Sequence, residues 1–550
     1  MGGVLNAHIS SAILTGTRGY PIIVEVQVVN GLPSFTMVGL PDAACKESRD
    51  RVRSAILSSG FKWPQRRITV NLAPSGVRKA GAGLDLSIAV GILTASAELA
   101  PSQVDGYGFI GELGLDGTLR QVSGIIPLVD ALNDSGLSTA GIILSSQCRY
   151  ETFLSELHQL RWANNLREVV DCLKDVSKWQ QLPSLEGDFE NHLHMQLGTS
   201  PNRLINTDRG AIGYLDNYHN IYDQDYSGEH LDMADVRGQR VGRRAVEVAA
   251  TGGHHLLMIG PPGSGKTMLA RRLPGILPSL SRDEALEVSK VYSAAGKYWA
   301  ASELGSNPPF RAPHHGASSV SLVGGGSSSM RPGEISLAHR GVLFLDEMGE
   351  FPSSVLDSLR EPLEEGVVRV SRAKATEVFP ARFLLVATMN PCPCGEGGIL
   401  GACRCSEAVR SRYLRRLSGP LLDRFDLVVI LTRPSAEDLL GSEPMESSEV
   451  VAKRVANARA KANRRGARCN AELAGERLNN YVPLSYAARS ILEERLRAGT
   501  LSARGVDRVK RIALTIADLE GSTEVIEDIH IAEALELRAN RNALMSGIGY

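Results

Sequence analysis

Aromatic side chains are scarce in this chain, with 4 Trp, 13 Tyr and 11 Phe in 550 residues, so any core must be mainly aliphatic. No apolar run approaches the 18 or so residues of a membrane-crossing helix, and no membrane span is expected. The start, Met1 to Asn6, has no charged head leading into a long apolar stretch, so no secretory leader is expected. Asn6 stands where N-myristoylation requires Ser or Thr, which argues against that modification. Neither charge sign is in excess: 60 Lys+Arg face 61 Asp+Glu. Net charge therefore predicts neither nucleic acid nor membrane, and such a partner must be argued from local clusters. Eight cysteines are too few for a disulfide scaffold, which points to a reducing compartment, the cytoplasm by default.

What is present is an ordinary globular mix, 43% hydrophobic and 22% charged. The length suggests three to four domains, at about 150 residues each. Residues 1–180 are rich in Gly and β-branched residues. Ile22–Val29, Ser34–Gly39 and Ile68–Leu72 read as strands, Asp42–Ser59 and Asp85–Leu99 as helices, and Asp116-Gly117 as a hairpin turn. This predicts an α+β domain. Residues 181–231 are poor in aliphatics and read as a linker or insert. From 232 to 435, strands alternate with helices as a parallel α/β sheet requires. From 436 to 550 the pattern is helical.

The chemistry is concentrated in the α/β block. Gly260, Pro261, Pro262, Gly263, Ser264, Gly265, Lys266 and Thr267 follow an apolar strand, His255–Ile259, and open a helix. That context makes them a phosphate-binding loop for ATP, in which backbone N–H groups turn toward phosphate oxygens. Lys266 can reach the β- and γ-phosphates, and Thr267 can ligate Mg²⁺. The strand Val342–Leu345 delivers two acids, Asp346 for the Mg²⁺ shell and Glu347 to polarise the attacking water. A third strand, Phe383–Met389, ends in Asn390, whose amide can orient that water. Arg424, ahead of the strand Leu427–Leu431, has two open readings. It forms a surface ion pair with Asp423 or Asp426, or it is an arginine finger for a neighbouring subunit.

Cys392, Cys394, Cys403 and Cys405 form two close thiol pairs, a donor set suited to a closed structural Zn²⁺ site. Free thiols or a redox pair are the alternatives. Gly395, Gly397, Gly398 and Gly401 give the loop freedom to fold around a metal. The isolated cysteines read as packing residues. Three basic runs stand out. They are Lys62, Arg66, Arg67, Arg78 and Lys79; Arg404, Arg410, Arg412, Arg415 and Arg416; and Lys453, Arg454, Arg459, Lys461, Arg464, Arg465 and Arg468. The first and third hold no acid, and the second only Glu407; such a run is a candidate phosphate-backbone contact, and the alternative is a solvated helix face.

Together these residues resemble an AAA+ ATPase. Asp235–Gln239 is similar to the segment that lies beside the adenine. Arg311–His315, Arg331–His339 and Asn390–Gly395 resemble narrower signatures of the magnesium-chelatase-like group. The resemblance implies a multidomain α/β protein with an AAA+ P-loop core at 232–435, a Cys₄ insert at 391–406 and a helical lid at 436–550. It makes Asn390 sensor 1, Arg424 the arginine finger and Arg504 the sensor 2 arginine. It implies an insertion between Phe310 and Ser336, and a hairpin before sensor 1 beginning near Gly366–Arg372. It further implies a homo-hexameric ring and ATP-driven, sequence-independent DNA translocation or helicase activity, with branch migration during recombination of incoming DNA. The competing expectations are an ATPase subunit of magnesium chelatase and a protein-remodelling ATPase.

Residues 1–180 resemble a Lon-type peptidase domain of the ribosomal S5 domain 2-like fold. Ser75 sits where the nucleophile would be, but Ile126 occupies the lysine position, and an isoleucine cannot act as base. An inactive scaffold domain is expected. Such a domain is not expected in a magnesium chelatase subunit.

Overall fold

The computed structural model describes residues 5–75, 79, 83–149, 151–154, 159–181, 231–297, 307–326, 330–372, 375–396, 403–414, 416–441, 445–521 and 525–546. Two compact units divide the chain. One takes residues 1–224 with 289–302 and 326–331, and the other takes 225–288, 303–325 and 332–550. Apart from its two end residues, the expected linker at 181–231 lies outside the described residues.

The first unit is built on a seven-stranded sheet ordered β3-β4-β2-β1-β5-β8-β9. Its strands are β1 (Leu5–Thr15), β2 (Arg18–Val29), β3 (Ser34–Val38), β4 (Arg67–Ala73), β5 (Tyr107–Phe109), β8 (Gly141–Ser145) and β9 (Leu160–Ala163). The short pair β6 (Glu112–Leu113) and β7 (Leu119–Arg120) makes the hairpin expected around Asp116-Gly117. Ile22, Val24, Val26 and Val28 alternate inward along β2, the period-2 pattern of a half-buried strand. Over that face lies the helix Asp85–Ala95, buried along its whole length. Its first residue, Asp85, is a buried acid held by Arg51 at 2.7 Å. Asp42 caps the helix Ala43–Ser58 by accepting from the Cys45 N–H at 2.8 Å.

Two features escape the sequence pattern. β1 is eleven residues long, but its polar residues hide it. β3 does not pair with its sequence neighbour β2; it pairs parallel with β4, on the sheet's edge.

The second unit carries a five-stranded sheet, ordered β11-β14-β17-β10-β18 and parallel throughout. These strands are β10 (Leu256–Ile259), β11 (Phe310–Arg311), β14 (Val342–Leu345), β17 (Leu384–Met389) and β18 (Leu427–Ile430). All but β11 read as short continuous apolar runs because both faces are covered. Between them come the two-residue strands β12 (Gly324–Gly325) and β13 (Arg331–Pro332). β15 (Val367–Arg372) and β16 (Ala375–Pro380) pair antiparallel as the hairpin expected before sensor 1. The carboxyl part is helical, and the helices Ser448–Arg464, Tyr486–Arg497, Ala503–Leu519 and Asp528–Ser546 share one apolar core with the sheet.

Candidate functional site

In a parallel sheet the strand ends divide the chemistry. At the carboxyl edge, β10 runs into the phosphate loop, which opens the helix Lys266–Arg272. Gly263 and Gly265 take left-handed backbone (φ +80° and +81°), which turns the loop into a concave nest. The N–H of Gly260 donates to Met389 O at 3.1 Å, joining this loop to the end of β17. Lys266 Nζ donates to the carbonyls of Gly260 (2.6 Å) and Pro261 (3.0 Å) and to Asn390 Oδ1 (3.2 Å). Burial pushes the Lys266 ammonium below its ordinary value, against the pull of Asp346 and Glu347.

Thr267 Oγ1 donates to Asp346 at 3.1 and 3.2 Å, and Thr388 Oγ1 donates to the same carboxylate at 2.5 Å. Thr388 in turn accepts the N–H of Glu347 at 3.0 Å. Glu347 has left-handed backbone (φ 52°), a conformation non-glycine residues seldom adopt and one found at functional sites. Thr388 thus orders both acids. It was not singled out from the sequence, although its place two residues before Asn390 could have marked it.

The residues fit a magnesium nucleotide. The Ser264 hydroxyl is buried in the loop without a hydrogen-bond partner among the described residues, and a phosphate oxygen would satisfy it. Gln239 of the expected adenine-side segment is buried next to the loop and donates to Thr432 O at 2.7 Å. Arg433, just past β18, donates to Pro262 O at 3.3 Å and pairs with Glu396 at 2.8 Å. Sequence reading missed Arg433, since a single arginine in a loop carries no pattern.

The other two expected site residues lie at the opposite edge. Arg424 precedes β18, and the backbone of Asp426 bonds to His255, just ahead of β10. The four-residue strands span about 13 Å between the edges. Arg424 pairs with Glu364 rather than with Asp423 or Asp426, and its Nε is buried without a partner among the described residues. Burial and the charges of Arg508, Arg504 and Arg360 lower its pKa. Arg504 itself is exposed, and its charge is among those acting on Arg424. Arg508 takes the contact with Asp426, at 3.6 Å. A cavity of about 900 Å³ opens on this edge, lined by residues including His255, Gly341, Glu364 and Arg382.

Beyond Asn390, the four cysteines converge. The sulfurs of Cys392, Cys394 and Cys403 lie 3.3 to 3.8 Å apart, and all four lie within 4.8 Å of one another. The remaining cysteines, Cys45, Cys148, Cys172 and Cys469, are buried and unbridged, as expected for packing residues. Gly397, Gly398, Gly401, Arg78 and Arg415 lie outside the described residues.

The basic runs need correction. Most of 453–468 is used internally. Lys453 pairs with Glu449, and Arg454 with Glu247 and Glu446. Buried Arg459 donates to Ala250 O, Arg465 binds Asp518 at 2.6 Å, and Arg468 binds Glu284 at 3.1 Å. The sequence showed no acid within the run because the partners lie outside it: Glu449 a turn earlier on the same helix, and Glu247, Glu284 and Asp518 on other elements. Lys79 is also wholly buried and donates to Pro74 O, so it cannot meet a phosphate backbone. Lys62, Arg66, Arg67, Arg404 and Arg412 are exposed. In the first unit Ser75 is exposed, whereas Ile126 is buried in the helix Ile125–Asp134.

Comparison with known proteins covers most of the length. Residues 232–439 match the family described as magnesium chelatase, subunit ChlI; 24–147 match subunit ChlI of Mg-chelatase; and 445–538 match the ChlI C-terminal family. The amino-terminal match carries the chelatase name too, so that region does not set the chain apart from such subunits, contrary to expectation. An uncharacterized protein of Mycobacterium tuberculosis is 41% identical over 535 residues, covering 96% of this chain and 97% of the relative. YifB of Escherichia coli is 40% identical over 532 residues, 95% of each chain. Competence protein ComM of Haemophilus influenzae is 40% identical over 542 residues, 97% of each.

Proposed function

The chain belongs to the magnesium-chelatase ChlI family of AAA+ proteins, and on that premise we propose that it is an ATP-driven DNA translocase or helicase. It works as a homo-hexameric ring and promotes branch migration when incoming DNA recombines. The observation that carries the ATPase reading is the division of polar residues between the two sheet edges. At the carboxyl edge Lys266 is bonded to Asn390, and Thr267 to Asp346. Arg424 and Arg504 stand at the amino edge, out of reach of that loop. A γ-phosphate held at one chain's loop would therefore meet the arginines of the next chain, as a ring supplies.

Mg²⁺, held through Thr267 and Asp346, would neutralise charge developing on the transferred phosphoryl group. Glu347 is the base for the attacking water, its backbone fixed by Thr388. Asn390 shares its amide oxygen with Lys266 and so couples the water-orienting side chain to the phosphate-binding one. Arg424 and Arg504 supply positive charge in trans.

The DNA reading rests on the full-length similarity to a protein named for competence and on the exposed cations Lys62, Arg66, Arg67, Arg404 and Arg412. ATPase rates of the full-length chain, with and without a four-way DNA junction at low and high salt, test it. Strong stimulation that fades with salt is the expected result. A rate indifferent to DNA sinks it. The names of all three matching families favour a second reading, a chelatase ATPase subunit; porphyrin-dependent Mg²⁺ insertion with partner subunits tests that.

A further inference from the structure

The nucleotide reading gives the four cysteines no task, yet their surroundings join them to both sides of the nucleotide site. Cys392 follows Asn390 by two residues and is fully buried. The N–H of Gly395 bonds back to Cys392 O at 2.9 Å, closing a tight turn. That turn lies on the phosphate loop: a Cβ at Gly395 would stand 2.7 Å from Pro262 Cδ. The next residue, Glu396, grips Arg433, whose Nε donates to Pro262 O. At the far end, Cys405 leads into the helix Glu407–Leu414, which seats Tyr413 against Gly349, two residues beyond Glu347. Arg416 then donates to Gly349 O at 2.9 Å.

A tetrahedral metal with sulfur at about 2.3 Å sets its ligand sulfurs about 3.8 Å apart. The observed separations, 3.3, 3.8 and 3.6 Å, fit that figure. Four thiol donors with no carboxylate or imidazole select a soft, closed site. We propose that Cys392, Cys394, Cys403 and Cys405 hold one Zn²⁺, and that the loop it closes braces the phosphate loop on one side and the Glu347 turn on the other. The proposal rests on the reading of Gly260–Thr267 as the nucleotide site. Without the metal, weak thiol contacts in place of metal–sulfur bonds would join the two cysteine pairs. Pro262 and Gly349 would then lose their packing partners together.

The test uses the full-length chain purified without chelator. Elemental analysis should find about one zinc per chain, and Cys403→Ser with Cys405→Ser should abolish it. With mant-ADP as probe, the double variant should bind about tenfold more weakly, the scale of a displaced binding loop. Chelation of the wild-type chain should weaken binding equally, and added Zn²⁺ should restore it. Glu396→Gln and Arg433→Ala should keep the zinc while weakening mant-ADP binding, which separates the brace from misfolding. Absence of zinc overturns the metal site. Zinc loss with unchanged mant-ADP affinity overturns the brace. A wild-type chain that carries zinc but binds no mant-ADP overturns the nucleotide reading, and the brace with it, while leaving the metal site standing.

Discussion

The two edges of one parallel sheet differ in how their charges are met. At the carboxyl edge, Lys266 bonds Asn390, and Thr267 and Thr388 both bond Asp346, whose charge acts on Lys266. At the amino edge the charges of Arg504, Arg508 and Arg360 act on Arg424, and among the described residues separate acids meet three of the four: Glu364 on Arg424, Asp426 on Arg508 and Asp357 on Arg360. A cluster of like charge costs free energy unless an anion answers it. On the proposed reading, the carboxyl edge holds a nucleotide and the amino edge answers one held by another chain.

Breaking the amino edge should have the largest effect. Arg424→Ala should lower ATP turnover by about 10³-fold or more while mant-ADP affinity stays unchanged, as for an arginine finger. Mixing Arg424→Ala chains with Lys266→Ala chains should restore part of the turnover, because a mixed interface can pair an intact loop with an intact arginine. Wild-type turnover in Arg424→Ala would remove the two-edge scheme. Breaking the carboxyl edge should come next. Glu347→Gln should keep nucleotide binding and slow turnover by about 10²- to 10⁴-fold, since the amide has the shape but not the basicity. Lys266→Ala should lose binding itself.

Smaller effects separate architecture from chemistry. Arg465→Ala should destabilise the second unit by about 3 kcal/mol, because it strands the buried Asp518. Urea midpoints would show it, and an unchanged midpoint would return Arg465 to the list of DNA contacts. Two histidines beside the sheet give a pH signature. His255, which accepts the Leu385 N–H at 3.0 Å, and His339 are held down to about 4 chiefly by burial. The unfolded chain binds more protons between their folded value of about 4 and the ordinary 6.5, so stability is present above 6.5 and lost as pH falls. Each should cost roughly 2 kcal/mol between pH 7 and pH 5, read as a falling urea midpoint. The smallest change should come from Arg66→Ala with Arg67→Ala, which should flatten the salt dependence of DNA binding by about one unit of slope per lost phosphate contact.

Much of this was legible in the chain. Short apolar runs ending in Asp346 and Asn390, and a glycine-rich loop after one of them, declare themselves because strand, turn and helix chemistry agree over a few residues. The Cys pairs declared themselves for the same reason. Thr388 and Arg433 did not, because their roles depend on which strands become neighbours. The run 453–468 misled because a charge count along the chain cannot see Glu247, Glu284 or Asp518 approaching from elsewhere.

The sequence alone determined the parts: a phosphate loop, two acids, an amide, four thiols and a family. These depend on local spacing, which survives without a fold. Only the tertiary structure decided that Arg424 and Arg504 share an edge opposite the loop, that Thr388 ties Asp346 to Glu347, and that the thiols close against Pro262. Such placements follow from strand order and parallel register, which bring residues more than a hundred positions apart, such as Lys266 and Asn390, within hydrogen-bonding distance.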